Sequence, residues 1–183
     1  MKNFERDDLL FSLCGLNCGL CPMNLNDYCP GCGGGEGNQS CAVARCSLKH
    51  EGVSYCFQCT EYPCVKYEGI DEYDSFITHQ NRRRDFQRFQ DIGADSYRAE
   101  QKEKMEILKF LLDEYNDGRR KGFFCNGVNL LDIQDLRSVM AEITDGTDCA
   151  CLPIKEKALK AVKAFQTTAA ERNVEIKLRK KPR

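Results

Sequence analysis

The sequence is poor in several features that would place it quickly. It contains no long apolar run, which excludes a transmembrane helix. Its start, MKNFERDDLLFSLC, carries acids ahead of a short apolar patch and has no small-residue cleavage site, so it does not read as a secretory signal. A cytoplasmic protein without membrane contact is therefore the expectation. No HExxH, no nucleophile elbow and no distinctive carboxylate pair is present, so no catalytic residue is assigned and the question of an enzyme stays open. There is no internal repeat, no low-complexity linker and no succession of βαβ units. Histidine is scarce too: of the two, His50 lies between Lys49 and Glu51 and reads as a surface residue, and His79 has no cysteine neighbour.

Cysteine, by contrast, is abundant. Thirteen occur in 183 residues, and ten of them fall between Cys14 and Cys64. In a reducing compartment so many thiols do not persist as disulfides, and their odd total and uneven placement point to metal ligation. Hydrophobic residues make up 42% and charged residues 30%, an ordinary globular mix. The net charge of −1 conceals a basic end: residues 152–183 hold 10 Lys/Arg and 3 Asp/Glu. With RRR at Arg82 to Arg84 and RRK at Arg119 to Lys121, these patches could meet nucleic acid or another anionic partner, but solvated faces and helix ends are the preferred reading. The few aromatics in the basic end argue against base stacking there.

Residues 14–64 show no sustained helical or strand period, as expected of loops organised around metals. One short helix is expected from about Cys41 to His50, stopped by Gly52. Past Pro63 the pattern becomes charged and apolar at helical spacing, which puts a domain boundary near Gly69: a cysteine-rich metal module over 1–69 and a helical domain over 70–183. In the latter, the segment from Asp71 to Gly93 reads as two helical pieces. A longer helix follows from Ser96 to about Tyr115, with Met105, Leu108, Leu112 and Tyr115 along a stripe that Ile107, Phe110 and Leu111 widen. The glycine-bounded GFFCNGV reads as β-like. Leu130 to Ile143 and Ile154 to Ala169 give two more helices, and the alternation of Val174, Ile176 and Leu178 suggests an edge strand. The fold class expected is thus mainly α, with a small irregular, metal-stapled amino-terminal module and one or two short strands.

Three C-x2-C pairs stand out: Cys18/Cys21, Cys29/Cys32 and Cys56/Cys59. Such a pair lets one tight turn aim two sulfurs at one ion while backbone amides remain free to hydrogen-bond the thiolates. Cys14, Cys41, Cys46 and Cys64 complete ten candidate ligands, enough for two tetrahedral sites with two cysteines over. One partition gives Cys18, Cys21, Cys29 and Cys32 to one ion and Cys46, Cys56, Cys59 and Cys64 to another; interleaved arrangements using Cys14 or Cys41 stay open. Cys41 and Cys46 stand about 140° apart on a regular helix and do not suit the same ion. Zinc fits closed sets of four thiolates, with a formal charge of about −2 per site, which Arg45 and Lys49 beside Cys46 would moderate.

The C-x3-C-x2-C run of Cys14, Cys18 and Cys21 also matches the iron–sulfur loop of radical enzymes that cleave S-adenosylmethionine. Further cysteines crowd it, the remainder is helical rather than a parallel barrel, and Leu20 occupies a position usually aromatic in that loop. An iron–sulfur or redox enzyme is retained as the alternative to zinc, and a nucleic-acid-binding zinc protein as a third. GCGGGEG is not in a phosphate-loop register. Cys125, Cys149 and Cys151 read either as a reactive thiol and a redox pair or as a buried and two incidental cysteines.

The order CGLNCGLC, CPGC, CAVARC and CFQCTEYPC resembles the prokaryotic cysteine-rich domain-of-unknown-function 3795 family, whose pattern ends in C-x-x-C-x-x-Y-P-C. The likeness covers roughly residues 12–68. It implies a cysteine-rich, zinc-binding protein and no particular reaction. The expectation is a zinc protein holding two ions that shape a surface for a protein or small-molecule partner.

Overall fold

In the computed structural model, residues 4–35, 41–50, 52–145 and 152–182 are described. The chain is mainly helical. In order come α1 (Pro22–Leu25), α2 (Ala42–Ser47), α3 (Arg82–Ile92), α4 (Ala94–Glu114), α5 (Lys121–Leu130), α6 (Ile133–Thr144) and α7 (Ile154–Glu171), with single 3-10 turns at Cys18–Leu20, Cys56–Gln58 and Val65–Tyr67. Among the described residues there is no strand, only an isolated antiparallel bridge between Phe11 and Asn17. Two compact units divide the chain: Met1–Tyr97 with Leu178–Arg183, and Arg98–Lys177. The boundary expected near Gly69 falls inside the first of these.

The first unit explains why it extends past Gly69. Phe11, Tyr55 and Tyr67 from the cysteine-rich segments are buried with Phe86 and Phe89 of α3 and with Tyr97. Phe11 lies 4.7 Å from Tyr97, stacks on Phe89 at 5.7 Å and meets Phe86 edge-on at 5.7 Å. Pairs of this kind are worth about 0.5–1.5 kcal/mol each beyond their buried area. A smaller cluster of Phe4, Leu13, Val43 and Ala44 adjoins Cys14, Cys32 and Cys56. The first unit thus owns an aromatic core that joins the cysteine-rich loops to α3, which the aperiodic spacing of the loop aromatics conceals in the sequence.

Helix α3 buries Arg82, Asp85, Phe86 and Phe89, one face at i, i+3, i+4 and i+7. It ends at Gly93, whose φ of 82° lies in the region that glycine alone adopts freely. The first of the two helical pieces expected before it does not form. Asp74 explains this: its carboxylate accepts the backbone N–H groups of His79 and Arg179, both at 2.7 Å, offering the chain a non-helical alternative. The edge strand expected at Val174 to Leu178 does not form among the described residues. Arg179 meets Asp74 through its own N–H, its guanidinium and its carbonyl, but no neighbouring strand continues the pairing.

In the second unit, Lys104, Leu108 and Leu111 of α4 are buried with Tyr115 just beyond it, so of the expected stripe Leu108, Leu111 and Tyr115 face inward while Met105 and Leu112 are half-buried. The GFFCNGV segment is helical, not β-like: it forms most of α5, with Phe124 to Leu130 buried. Gly127 is not a boundary. A Cβ there would stand 2.7 Å from the ring of Phe165, so the glycine admits the α7 phenylalanine against the α5 backbone. On α7, Ala158, Ala161, Ala164 and Ala169 keep the buried face narrow, and α6 packs against it. Asp135 on α6 accepts a two-pronged contact from Arg172 at 2.7–3.1 Å. Cys125 is only 1% exposed inside this unit. Cys149 and Cys151 lie outside the described residues.

Candidate metal centre

The first cysteine group is built on tight turns. The Cys21 N–H donates to the Cys18 carbonyl at 3.0 Å, closing the first C-x2-C turn, and Pro22 opens α1 immediately afterwards. The Cys21 thiol faces the backbone amides of Met23 and Asn24. Asn24 holds the next pair through its side chain, donating to the Cys29 carbonyl at 2.9 Å. The Cys32 N–H donates to Leu9 O at 2.9 Å. Gly31 permits this approach, because a Cβ there would lie 2.4 Å from the Leu9 oxygen and its φ is 95°.

Arg6 ties these loops together. Its guanidinium donates to the carbonyls of Phe11 at 3.0 Å, Cys32 at 3.4 Å and Ser54 at 2.9 Å, and lies 5.2 Å from the Tyr55 ring centroid. Its positive charge also favours the thiolate form of Cys32. Burial pushes the Cys18 thiol well up from its ordinary range, and Cys32, Cys14, Cys21 and Cys29 add to this by their proximity. Burial likewise raises Cys21 and Cys32, against the backbone amides and, for Cys32, against Arg6.

The second group repeats the turn: Cys59 N–H donates to Cys56 O at 3.0 Å, while Cys56 N–H reaches Leu13 O at 2.9 Å. Cys46 arrives on α2 and Cys64 just ahead of the Val65–Tyr67 turn. Cys46, Cys56, Cys59 and Cys64 line one cleft with Val43, Ser47, His50, Val53, Tyr62, Lys66 and Tyr67. The Cys56 thiol is pushed up to about 12 by burial, opposed by a hydrogen bond with Tyr67 and helped by Cys14, Cys64 and Cys46. Tyr67 is raised in turn, first by burial and then by that bond.

The remaining two cysteines differ. Cys41 is the residue capping the start of α2 and is exposed, away from the cleft that Cys46 lines. Cys14 packs against both apolar clusters. Its Sγ lies 3.3 Å from Ser12 Oγ, and its carbonyl accepts from Tyr67 at 3.3 Å and from Arg82 at 3.2 Å. Gly15 lets this loop meet α3, since a Cβ would come within 3.0 Å of Arg82. Arg82 is 2% exposed and pairs with Asp71 at 2.7 Å. Burial would weaken its charge, but the negative charge of Cys14 when it is a thiolate, and that of Asp71, favour the protonated form.

Several contributors were not legible in the sequence. Arg6, Tyr67 and Arg82 stabilise cysteine loops, yet Arg82 reads as part of a surface RRR patch and the other two have no motif. The burial of Arg82 removes it from any accessible basic patch, and Arg120 is engaged with Asp117. Lys66 lines the cleft, a cation not singled out by spacing, and His50 lines it as well, with Nε2 4.0 Å from Glu61. His79 is occupied structurally, Nδ1 by the Ile70 carbonyl at 3.1 Å and Nε2 by Ser75 at 2.9 Å. Among the described residues no three Cys, His, Asp or Glu side chains already stand in coordinating geometry. Four of the thiols nonetheless line one cleft, at Cys46, Cys56, Cys59 and Cys64. No helix of the described residues is long and apolar enough to cross a membrane. Comparison of the chain with protein-family models, with curated proteins and with solved structures gave no match.

Proposed function

We propose that the chain is a zinc protein with two ions, one held by Cys18, Cys21, Cys29 and Cys32 and the other by Cys46, Cys56, Cys59 and Cys64. The ions shape a surface for a protein or small-molecule partner in the cytoplasm. The observation that carries this reading is the gathering of four thiols from three separate segments around one cleft. For the other set, the proximity of Cys32, Cys14, Cys21 and Cys29 to Cys18 supports a shared site, and the two C-x2-C turns favour Cys21, Cys29 and Cys32 over Cys14 as its partners. The order of ten cysteines, with its resemblance to the prokaryotic family, supports it independently.

Energetically the thiols are costly without an ion. Buried thiols resist ionisation, so an ion must displace their protons, and the return is large: about 10–16 kcal/mol at neutral pH for a structural zinc in a small module. Ligand chemistry assigns the remaining groups their roles. Arg6 offsets charge on the first set and Tyr67 stands beside Cys56 in the second, surroundings that orient thiolates and tune their basicity.

Elemental analysis of purified full-length protein tests the proposal. Two zinc ions per chain and no visible absorption are expected. Stoichiometric iron with sulfide and a brown colour under anaerobic purification would replace it with the iron–sulfur alternative. Salt-sensitive binding of oligonucleotides by the zinc form would instead favour a nucleic-acid partner.

A further inference from the structure

The RRR stretch and the basic end stand far apart in sequence, and residues 174–183 carry no aromatic. The fold brings them together. Leu178–Arg183 belong to the first unit, where the Asp74 N–H donates to the Arg179 carbonyl at 2.8 Å. The Arg179 N–H and guanidinium donate back to the Asp74 carboxylate at 2.7 and 3.1 Å. Lys180 and Lys181, both exposed, follow at once. The same carboxylate accepts the His79 N–H at 2.7 Å, and the His79 carbonyl accepts the Arg82 N–H at 3.2 Å, where α3 begins. Arg83 and Arg84 are exposed in the first turn of that helix. Two basic stretches thus flank one fastened loop.

Phe76 lies in that loop and is 64% exposed, while Ile77 and Thr78 beside it are buried. The turn is held from both ends: the Ser75 N–H donates to the Ile77 carbonyl at 3.3 Å, and Ser75 Oγ lies 2.9 Å from His79 Nε2. A loop so fastened keeps its ring in water instead of folding it onto the core. An aromatic with two side-chain torsions loses little entropy on binding, and neighbouring cations steer an anionic partner. Exposed basic residues alone are ordinary solvated surface. A fixed ring beside them supplies an apolar anchor.

The acids of the same stretch decide which anion suits. Asp74 is paired with Arg179, and Asp71 with Arg82 at 2.7 Å and more loosely with Arg83 at 3.8 Å. Glu68 and Glu72 remain exposed. A phosphate chain carries charge at every link and would have to pass them, and stacking of single strands draws on successive aromatics rather than one. A peptide can space its carboxylates. We propose that Phe76, Arg83, Lys180 and Lys181 form a docking surface for a short acidic segment of a partner protein, its carboxylates meeting the cations and one apolar side chain lying on Phe76. The surface uses no cysteine, so it goes beyond the two-ion reading and does not depend on it.

Fluorescence anisotropy of the full-length protein with a fluorescein-labelled peptide that alternates Glu with Leu and Phe tests this. Saturable binding at low salt is expected, weakening as salt rises. Lys180→Gln with Lys181→Gln should weaken it about tenfold, the effect of two exposed charge pairs, and flatten the salt dependence. Phe76→Ala should weaken it by a similar factor and leave the salt dependence alone. Asp74→Ala separates an assembled surface from mere charge: removing an acid favours an anion, but releasing residues 178–182 disperses the cations. Weaker binding is expected, with circular dichroism confirming that each variant stays helical. Tighter binding by Asp74→Ala, unchanged binding by Phe76→Ala, or a uridine oligonucleotide of equal charge binding better than the peptide would overturn the proposal, as would no binding at low salt. Zinc content of the same samples is measured separately, so either reading can fail without the other.

Discussion

Gly31 illustrates how much a single position holds. Its φ is positive and a Cβ would overlap the Leu9 carbonyl oxygen, which is backbone and cannot swing aside. Gly31→Ala is therefore expected to destabilise the protein by at least about 2–3 kcal/mol, combining left-handed strain with displacement of the Cys29–Cys32 turn. Denaturant unfolding of the metal-free chain measures it; an unchanged midpoint contradicts the close approach. The thiols give a second residue-level expectation. Cys18, Cys21, Cys32 and Cys56 all have raised values in the folded chain. An unfolded thiol ionises near about 8.5, so between that pH and the folded values only the unfolded chain has lost the proton. The stability these groups contribute is complete below about pH 8.5 and falls as pH rises above it. The melting temperature of metal-free protein should accordingly drop from pH 8 to pH 10, and a flat profile would contradict buried thiols. The cysteine spacing made the ligand candidates legible, whereas Arg6 and Arg82 were not, because an arginine buried by tertiary packing looks in sequence like any solvated one.

Helices were read best where apolar spacing alone decides them. The stretches assigned to α4, α6 and α7 were expected within a few residues of their bounds, and α2 was expected from CAVARCSLKH. Failures arose where one side chain or one close contact outweighed pattern. At Asp74 a carboxylate supplants the first turn of a helix and fastens the Arg179 segment. Asp74→Ala should release residues 178–182 and cost about 1–3 kcal/mol, from the lost charge-assisted bonds. Hydrogen exchange at the Arg179 and His79 amides should rise; unaltered protection would contradict this. Burial would raise the Asp74 carboxyl, but Arg179 and the two amides hold it below its usual range. Its contribution is therefore present above about pH 3.9 and lost as pH falls through the lower folded value. At Gly127 the glycine serves a helix contact, although its spacing suggests a strand boundary. Gly127→Ala gains helix propensity of about 1 kcal/mol but drives a methyl into the buried Phe165 ring, an overpacking cost of about 1–3 kcal/mol. The net expectation is destabilisation of about 1 kcal/mol in thermal unfolding; a stabilised variant would show that α7 yields easily.

For the molecule as a whole, the amino-terminal unit combines two stabilising devices that sequence presents as one. Its thiols are visible in sequence as pairs, while its aromatic core is assembled from Phe11, Tyr55, Tyr67, Phe86, Phe89 and Tyr97, residues scattered over loops and α3 without period. The core sets the backbone so that thiols converge, and bound ions would fix the loops that the core does not cover. The central claim is that eight of those thiols hold two zinc ions. Zinc-edge X-ray absorption on purified full-length protein, with the zinc content of the same sample, tests it most directly. Two equivalents of zinc, each surrounded by four sulfurs at about 2.3 Å, are expected. Zinc bound chiefly by oxygen or nitrogen, or a correctly folded chain with neither zinc nor another thiolate-bound metal, would contradict it.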